Sequence, residues 1–458
     1  MSKLKPSLRT YKPARSASFS SGALAVKELS VPESESAVSV PLEASPPPSS
    51  LQRAALHLTM LFLFFRISFL HEFLSSEVRI DLHLLMVIGG VSVLTALLAG
   101  RLISAAKDPI ATLWLVFALC LFGATLFSSW IGGSFQVFSD YMRTTLPLVL
   151  LIPAVAHTKE DVIKAVKTVG WAGTAVIALG FTSKTIVDGR IVLMKAGSIG
   201  DSNDYAAYLI FVLPAVMYLF FGLNRSPFLK ALGFIVIPAG IFQILSSGSR
   251  GGLVGVAATL LFVLIIAKPK VKIAILLGIP TFALLAIPFV PGKSVERLSS
   301  LFKSAGEDKT DAAASADARR RLLEQSITLT LHHPLFGVGP GEFMDSEGGL
   351  AQASGQRGMW HETHNTYTQV SSECGIPALL LFLAATGTTV KRLWRTTKGS
   401  DPVLTAIAQV VLISMLSYGV CVFFLSHAYD FPLLVSSGLA IAIYRLVPAQ
   451  ENVSRTLA

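Results

Sequence analysis

Charged residues are scarce in this chain, at 14% of 458 residues against a hydrophobic share of 52%. Soluble domains carry about a quarter charged residues. The deficit excludes an ordinary water-soluble globule, and a mean hydropathy of +0.62 points to lipid as solvent. Cysteine is nearly absent. Cys120 and Cys421 lie inside apolar runs and Cys374 opens another, which gives no support to a disulfide framework. Residues 1–50 lack an apolar stretch long enough for a signal-peptide core. Rich in Ser, Pro, Ala and Lys, they are expected to form a disordered cytoplasmic tail rather than a cleaved leader. Acidic residues are outnumbered, 28 to 38, for a formal charge of +10. A basic balance can mean nucleic acid. Here the cations sit in the tail and in short loops between apolar runs, as membrane insertion requires, so no nucleic-acid partner is expected.

What is abundant is apolar runs of about 20 residues, the length a helix needs to cross a bilayer. They fall at 53–72, 82–100, 110–128, 141–157, 162–181, 205–222, 229–246, 250–267, 271–290, 368–388, 403–425 and 429–446. The first is the weakest, interrupted by Arg66 and closed by His71-Glu72. The fold expected is an all-α integral membrane protein with about twelve transmembrane helices. Nine lie in 51–290 and three in 368–447, with a long periplasmic loop at 291–367 and a short cytoplasmic tail at 448–458. With the basic tail inside, the even-numbered loops should be basic. They carry Arg101 and Lys107; Lys159 and Lys164; Arg225 and Lys230; Lys268, Lys270 and Lys272; and Lys391, Arg392, Arg395 and Lys398. The odd-numbered loops at 128–140 and 426–430 carry little positive charge. Both termini are therefore expected in the cytoplasm, and the membrane to be a bacterial inner membrane.

A loop as long as 291–367 is usually functional or disordered. Its first part, 303–315, is polar and Ala-rich. Asp317 is expected to cap an amphipathic helix over 317–327, ended by Pro334 and followed by a turn at Gly337-Val338-Gly339-Pro340-Gly341.

Several side chains at the outer edge could carry chemistry. His361 and His364, in His361-Glu362-Thr363-His364-Asn365, are either interfacial or a base working near neutral pH. A metal site would need Glu362 or His332 to fold in. Arg250, in Ser249-Arg250-Gly251-Gly252, opens a helix, where both its planar fork and the helix N-terminus suit an anion; the alternative is snorkelling to headgroups. Arg319-Arg320-Arg321 would oppose the dipole in a first helical turn, so they meet either headgroups or a phosphorylated substrate. In the fifth loop, Asn203 and Asp204 could cap the sixth span, while Lys184, Arg190 and Lys195 could meet phosphate. Arg143, at the edge of the fourth span, is a further costly cation.

Together these segments resemble the bacterial O-antigen ligase and O-antigen polymerase family. The likeness rests on Ser202-Asn203-Asp204-Tyr205-Ala206, Ser249-Arg250-Gly251-Gly252, the arginine cluster followed by His333-Pro334-Leu335-Phe336-Gly337-Val338-Gly339-Pro340-Gly341, then His364-Asn365-Thr366-Tyr367 and Glu373-Cys374-Gly375-Ile376-Pro377. It implies an inverting glycosyltransferase that moves an oligosaccharide from undecaprenyl diphosphate to an acceptor hydroxyl at the periplasmic face, in O-antigen or exopolysaccharide polymerisation or ligation. It implies no cofactor and no metal. The partners implied are the lipid-linked donor, a lipid or glycan acceptor, membrane lipids and other polysaccharide-assembly proteins. Carried onto this chain, His364 is the base, with His361 the alternative. Arg250, Arg319, Arg320 and Arg190 hold the diphosphate, and Asn203, Asn365, Tyr367 and Glu373 support the site. The competing reading is a secondary transporter or lipid-linked glycan flippase. Many such proteins also have twelve spans, but with two similar halves.

Overall fold

The computed structural model describes residues 49–80, 83–183, 185–194, 197–222, 226–299, 311–353, 355 and 357–448. The tails expected at 1–48 and 449–458, most of 303–315, and Lys184, Lys195 and Arg225 lie outside the described residues. The chain runs through α1 (Ser50–Ser68), α2 (Leu70–Val78), α3 (Leu84–Leu98), α4 (Leu102–Ala106), α5 (Pro109–Leu126), α6 (Ile131–Asp140), α7 (Leu146–Val155) and α8 (Lys159–Thr182). A two-stranded hairpin follows, β1 (Ile186–Val187) and β2 (Arg190–Ile191). Then come α9 (Ser202–Phe221), α10 (Pro227–Ser246), α11 (Arg250–Ile266), α12 (Pro269–Ala286), α13 (Gly292–Ser299), α14 (Asp311–His332), α15 (Phe343–Ala353), α16 (Thr366–Thr396), α17 (Pro402–Cys421) and α18 (Phe431–Arg445).

The architecture is all-α and multi-pass. Seven described helices are long and apolar enough to cross a membrane, or eight if α1 and α2, bent by 70° at Phe69, form one span. α3, α11 and α18 are apolar but shorter. Each apolar run of the sequence falls on helix, yet the fourth is divided between a π-turn at Tyr141–Thr145 and the ten-residue α7, too short to cross alone. Twelve crossings therefore stay an expectation.

α9 is the most buried candidate span. It packs against α8, α10, α11 and α17. Gly170 and Gly173 admit it closely: a side chain at Gly170 would press on the Ala215 carbonyl, and one at Gly173 on Val212. Buried polar groups are paired between helices. The Tyr205 hydroxyl donates to Gln243 (2.8 Å), whose amide donates to the Ile177 carbonyl (2.8 Å). The Trp114 indole donates to Ser437 (3.0 Å), and Arg392 holds Asp108 (2.7 Å).

Four local expectations are corrected. The helix expected to start at Asp317 starts at Asp311, so Asp317 is no cap and the three arginines lie beyond the first turn. Residues 131–140, read as loop, are the helix α6. The cap of α9 is Asp201, which accepts from the Asn203 amide, in place of Asn203 or Asp204. Arg143 is engaged locally, donating to Asp140 (2.6 Å) and to the Ser139 carbonyl (3.2 Å).

The Gly-rich turn and the Glu373–Pro377 segment, far apart in sequence, are one structure. α16 breaks at Gly375, whose φ of 85° suits only glycine without strain. The turn fills the break: Val338 and Gly339 amides donate to the Ser372 and Glu373 carbonyls (2.9 and 3.0 Å), and the Ile376 amide donates to Pro334 (2.8 Å). A Cβ at Gly375 would run into the Leu335 carbonyl. Gly375→Ala should therefore cost more than the ~1–2 kcal/mol of a left-handed non-glycine residue. It should read out as a lower Tm in detergent, and an unchanged Tm would contradict this packing.

Candidate active site

Four arginines converge on one cleft from four separate elements. The Asp188-Gly189 turn, with φ of 49° and 75°, closes the hairpin in the way such dipeptides favour and sends Arg190 inward. The Arg190 guanidinium donates to the Ser247 carbonyl (2.7 Å) and to Asn203 Oδ1 (2.9 Å). Burial, then the nearby Arg297, pushes its pKa down to about 10. At the α10–α11 turn, Gly248 (φ 60°) reverses the chain and the Ser249 hydroxyl caps α11 at Gly252 N (3.0 Å), which leaves Arg250 in the first turn. Arg250 Nε reaches the Arg297 carbonyl (3.4 Å) on α13. α13 is itself fixed by Ser294, which donates to the Ser246 carbonyl (2.7 Å). Arg319 comes from α14. Burial and the charges of Arg250 and Arg297 lower its pKa. Together with Asn203, Ser249, Gly252 and Phe424 it lines a narrow crevice.

Like charges gathered this way repel; Arg190 is held by the Ser247 carbonyl and Asn203, and Arg250 by the Arg297 carbonyl. That arrangement suits a bound polyanion. Of the arginines expected to act, Arg320 is not brought in: it pairs with Glu324 on the exposed face of α14 (3.0 Å). Arg297 was not singled out in the sequence, where its helix has no distinguishing motif.

His364 stands across from Arg319. Burial, then Arg319 and His361, lower its pKa from the usual 6.5, so the ring is neutral at pH 7 and can accept a proton. Its backbone is held in a left-handed turn (φ 49°), with the amide donating to Ser426 Oγ (3.0 Å). His361 is exposed, its ring centroid 6.3 Å from that of His364. Asn365 and Tyr367 build the support. Asn365 Oδ1 caps α16 at the Tyr367 and Thr368 amides (3.0 and 3.1 Å), and its amide donates to the Phe423 carbonyl (3.1 Å). Tyr367 donates to the Gly419 carbonyl (3.2 Å). Glu373 is further in, buried, accepting from Tyr429 (2.6 Å) and the Gly341 amide (3.0 Å), so it pins the Gly-rich turn. Among the described residues no three His, Cys, Asp or Glu side chains are grouped to hold a metal, and His332 is exposed at the end of α14.

Below this polar cleft lies an apolar cavity of about 480 Å³ between α11, α16 and α17. Val254, Phe262, Tyr367, Val390, Met415 and Phe423 are among its walls. Phe424 lines both the cavity and the arginine crevice.

Residues 235–383 match the family model described as O-antigen ligase, which supports the O-antigen ligase and polymerase family that the motifs resemble. The matched segment carries α11, the arginines 250, 297 and 319, the Gly-rich turn, His364 and the break at Gly375. No curated protein matches the chain.

Proposed function

We propose that this protein is an inverting, metal-independent glycosyltransferase of surface polysaccharide assembly, taking its glycan from undecaprenyl diphosphate at the periplasmic face. The observation that carries the reading is the grouping of three things: the four arginines, a neutral histidine, and an apolar cavity that shares Phe424 with the arginine crevice. The diphosphate lies among Arg190, Arg250, Arg297 and Arg319, and the polyprenyl chain runs down the slot. His364 takes the proton of an acceptor hydroxyl as its oxygen attacks the anomeric carbon. The bond from that carbon to the diphosphate oxygen breaks, and its electron pair leaves on the diphosphate, where the guanidinium groups balance the charge. Attack opposite the leaving group inverts the anomeric centre.

The acceptor is either a second lipid-linked repeat or a sugar of lipid A core, and we favour the repeat, as in a polymerase. A deletion strain tests this. Shortened surface polysaccharide is expected, whereas full-length chains left unattached would indicate ligation. Unchanged length and attachment would overturn both. Orientation is tested separately. Alkaline phosphatase fused after Gly355 should be active and fused after Lys270 inactive; the reverse would place the cleft away from its donor.

A further inference from the structure

Next to Asn203, which lines the arginine crevice, an acidic cluster surrounds His427, and the reaction above makes no demand on it. Asp204, in the first turn of α9, accepts from His427 Nε2 (2.9 Å) and stays one-quarter exposed, while the histidine is buried. The other ring nitrogen of His427 meets the Tyr418 hydroxyl of α17 (2.8 Å) and is 3.5 Å from Asp430. The imidazole packs in a triangle with two tyrosine rings, whose own centroids are 6.2 Å apart. Tyr208 of α9 stacks at 26° with centroids 5.4 Å apart, and Tyr418 at 25° and 5.8 Å. The His427 amide donates to Thr366 Oγ1 at the start of α16 (2.9 Å). From α1, Arg66 lies over Phe431 (4.5 Å), which stacks on the far side of Tyr208. Glu362, ahead of α16, adds a third carboxylate. Burial opposes a charged ring here, but Asp430, Asp204 and Glu362 outweigh it and the pKa is pushed up to about 9.

A side chain held by α9, α16 and α17, with both nitrogens engaged, is built for one orientation. Its effect falls on Asp204. An aspartate in the same cleft as several arginines would be drawn to them and would compete with a diphosphate. Bonded to His427 instead, it keeps its carboxylate in place, near enough to His364 for that ring's titration to respond to it. A fixed carboxylate with an exposed edge is an acceptor for sugar hydroxyl groups. We propose that Asp204 binds a hydroxyl of the incoming acceptor sugar, and that His427 is the positioning residue that holds it there. This rests on the glycosyl-transfer reading and names the residues of its acceptor side.

The test uses the purified full chain, a synthetic undecaprenyl-diphosphate glycan as donor and a synthetic acceptor glycan, with the two KM values measured separately from pH 7.5 to 9.5. Acceptor KM should rise by about tenfold across the window as His427 loses its proton, the scale of one hydrogen bond to a charged group. Donor KM should not follow it; weakening of Arg190, with its pKa near 10, would show in donor KM instead. His427→Gln and Asp204→Asn should each show the raised acceptor KM at every pH. A flat acceptor KM in the wild type, or a normal one in His427→Gln, would overturn the proposal. Should His427→Gln fail to accumulate, the wild-type series and Asp204→Asn decide. No transfer at any pH would overturn the glycosyl-transfer reading itself, whereas transfer with a flat acceptor KM removes only this inference.

Discussion

Replacing His364 with alanine should cut glycan transfer by about a hundred- to ten-thousandfold, the usual cost of a lost general base. His361→Ala should cost far less, because that ring is exposed at the rim and affects His364 only through its charge. The wild-type rate should also have a recognisable acid limb. A base works only when unprotonated, and burial beside Arg319 lowers the His364 pKa below its usual 6.5. Activity should therefore persist as pH falls below 6.5 and fail at a lower value. Arg319→Ala removes part of that depression, so whatever activity remains should lose its acid tolerance. A histidine that only shaped the loop would instead change abundance and melting, and leave the limb in place.

Arg319→Ala and Arg250→Ala should each lower the rate by about a hundred- to a thousandfold, the loss typical when one preorganised donor to a developing anion is removed. Arg250→Lys should recover little, since an ammonium cannot make the two parallel hydrogen bonds of a guanidinium. Arg320→Ala should stay within about twofold of wild type, because its pair with Glu324 is solvent-exposed and worth little. Near-normal transfer by Arg319→Ala, or a collapse of Arg320→Ala, would show that the diphosphate lies elsewhere.

Much of the fold was legible because lipid imposes one rule: apolar runs become helices, since backbone groups must be satisfied within the segment. That rule fails where helices break. Nothing in composition marks the π-turn at Tyr141–Thr145 or the sharp bend at Phe69, because both are set by packing. The Gly-rich turn and the Glu373–Pro377 segment stood out as motifs, but their mutual hydrogen bonds join residues some forty positions apart, which periodicity cannot reveal. His364, Arg250 and Arg319 were legible as ionisable residues beside apolar runs. Arg320 was indistinguishable from Arg319 until the phase of α14 put one inward and the other in solvent. Arg297 and His427 carried no motif at all. His427 follows the C-terminal end of α17, where a histidine beside Asp430 reads as an ordinary short loop until Asp204 arrives from α9.

The most direct measurement is transfer itself: purified protein in detergent or nanodiscs, a synthetic undecaprenyl-diphosphate glycan, an acceptor glycan, and detection of both the lengthened product and the released undecaprenyl diphosphate. Wild-type protein should produce the two in equal amounts with an inverted linkage, and His364→Ala should produce almost none while retaining wild-type abundance and Tm. Retained anomeric configuration, or His364→Ala turning over near the wild-type rate, would contradict a histidine base acting among the four arginines.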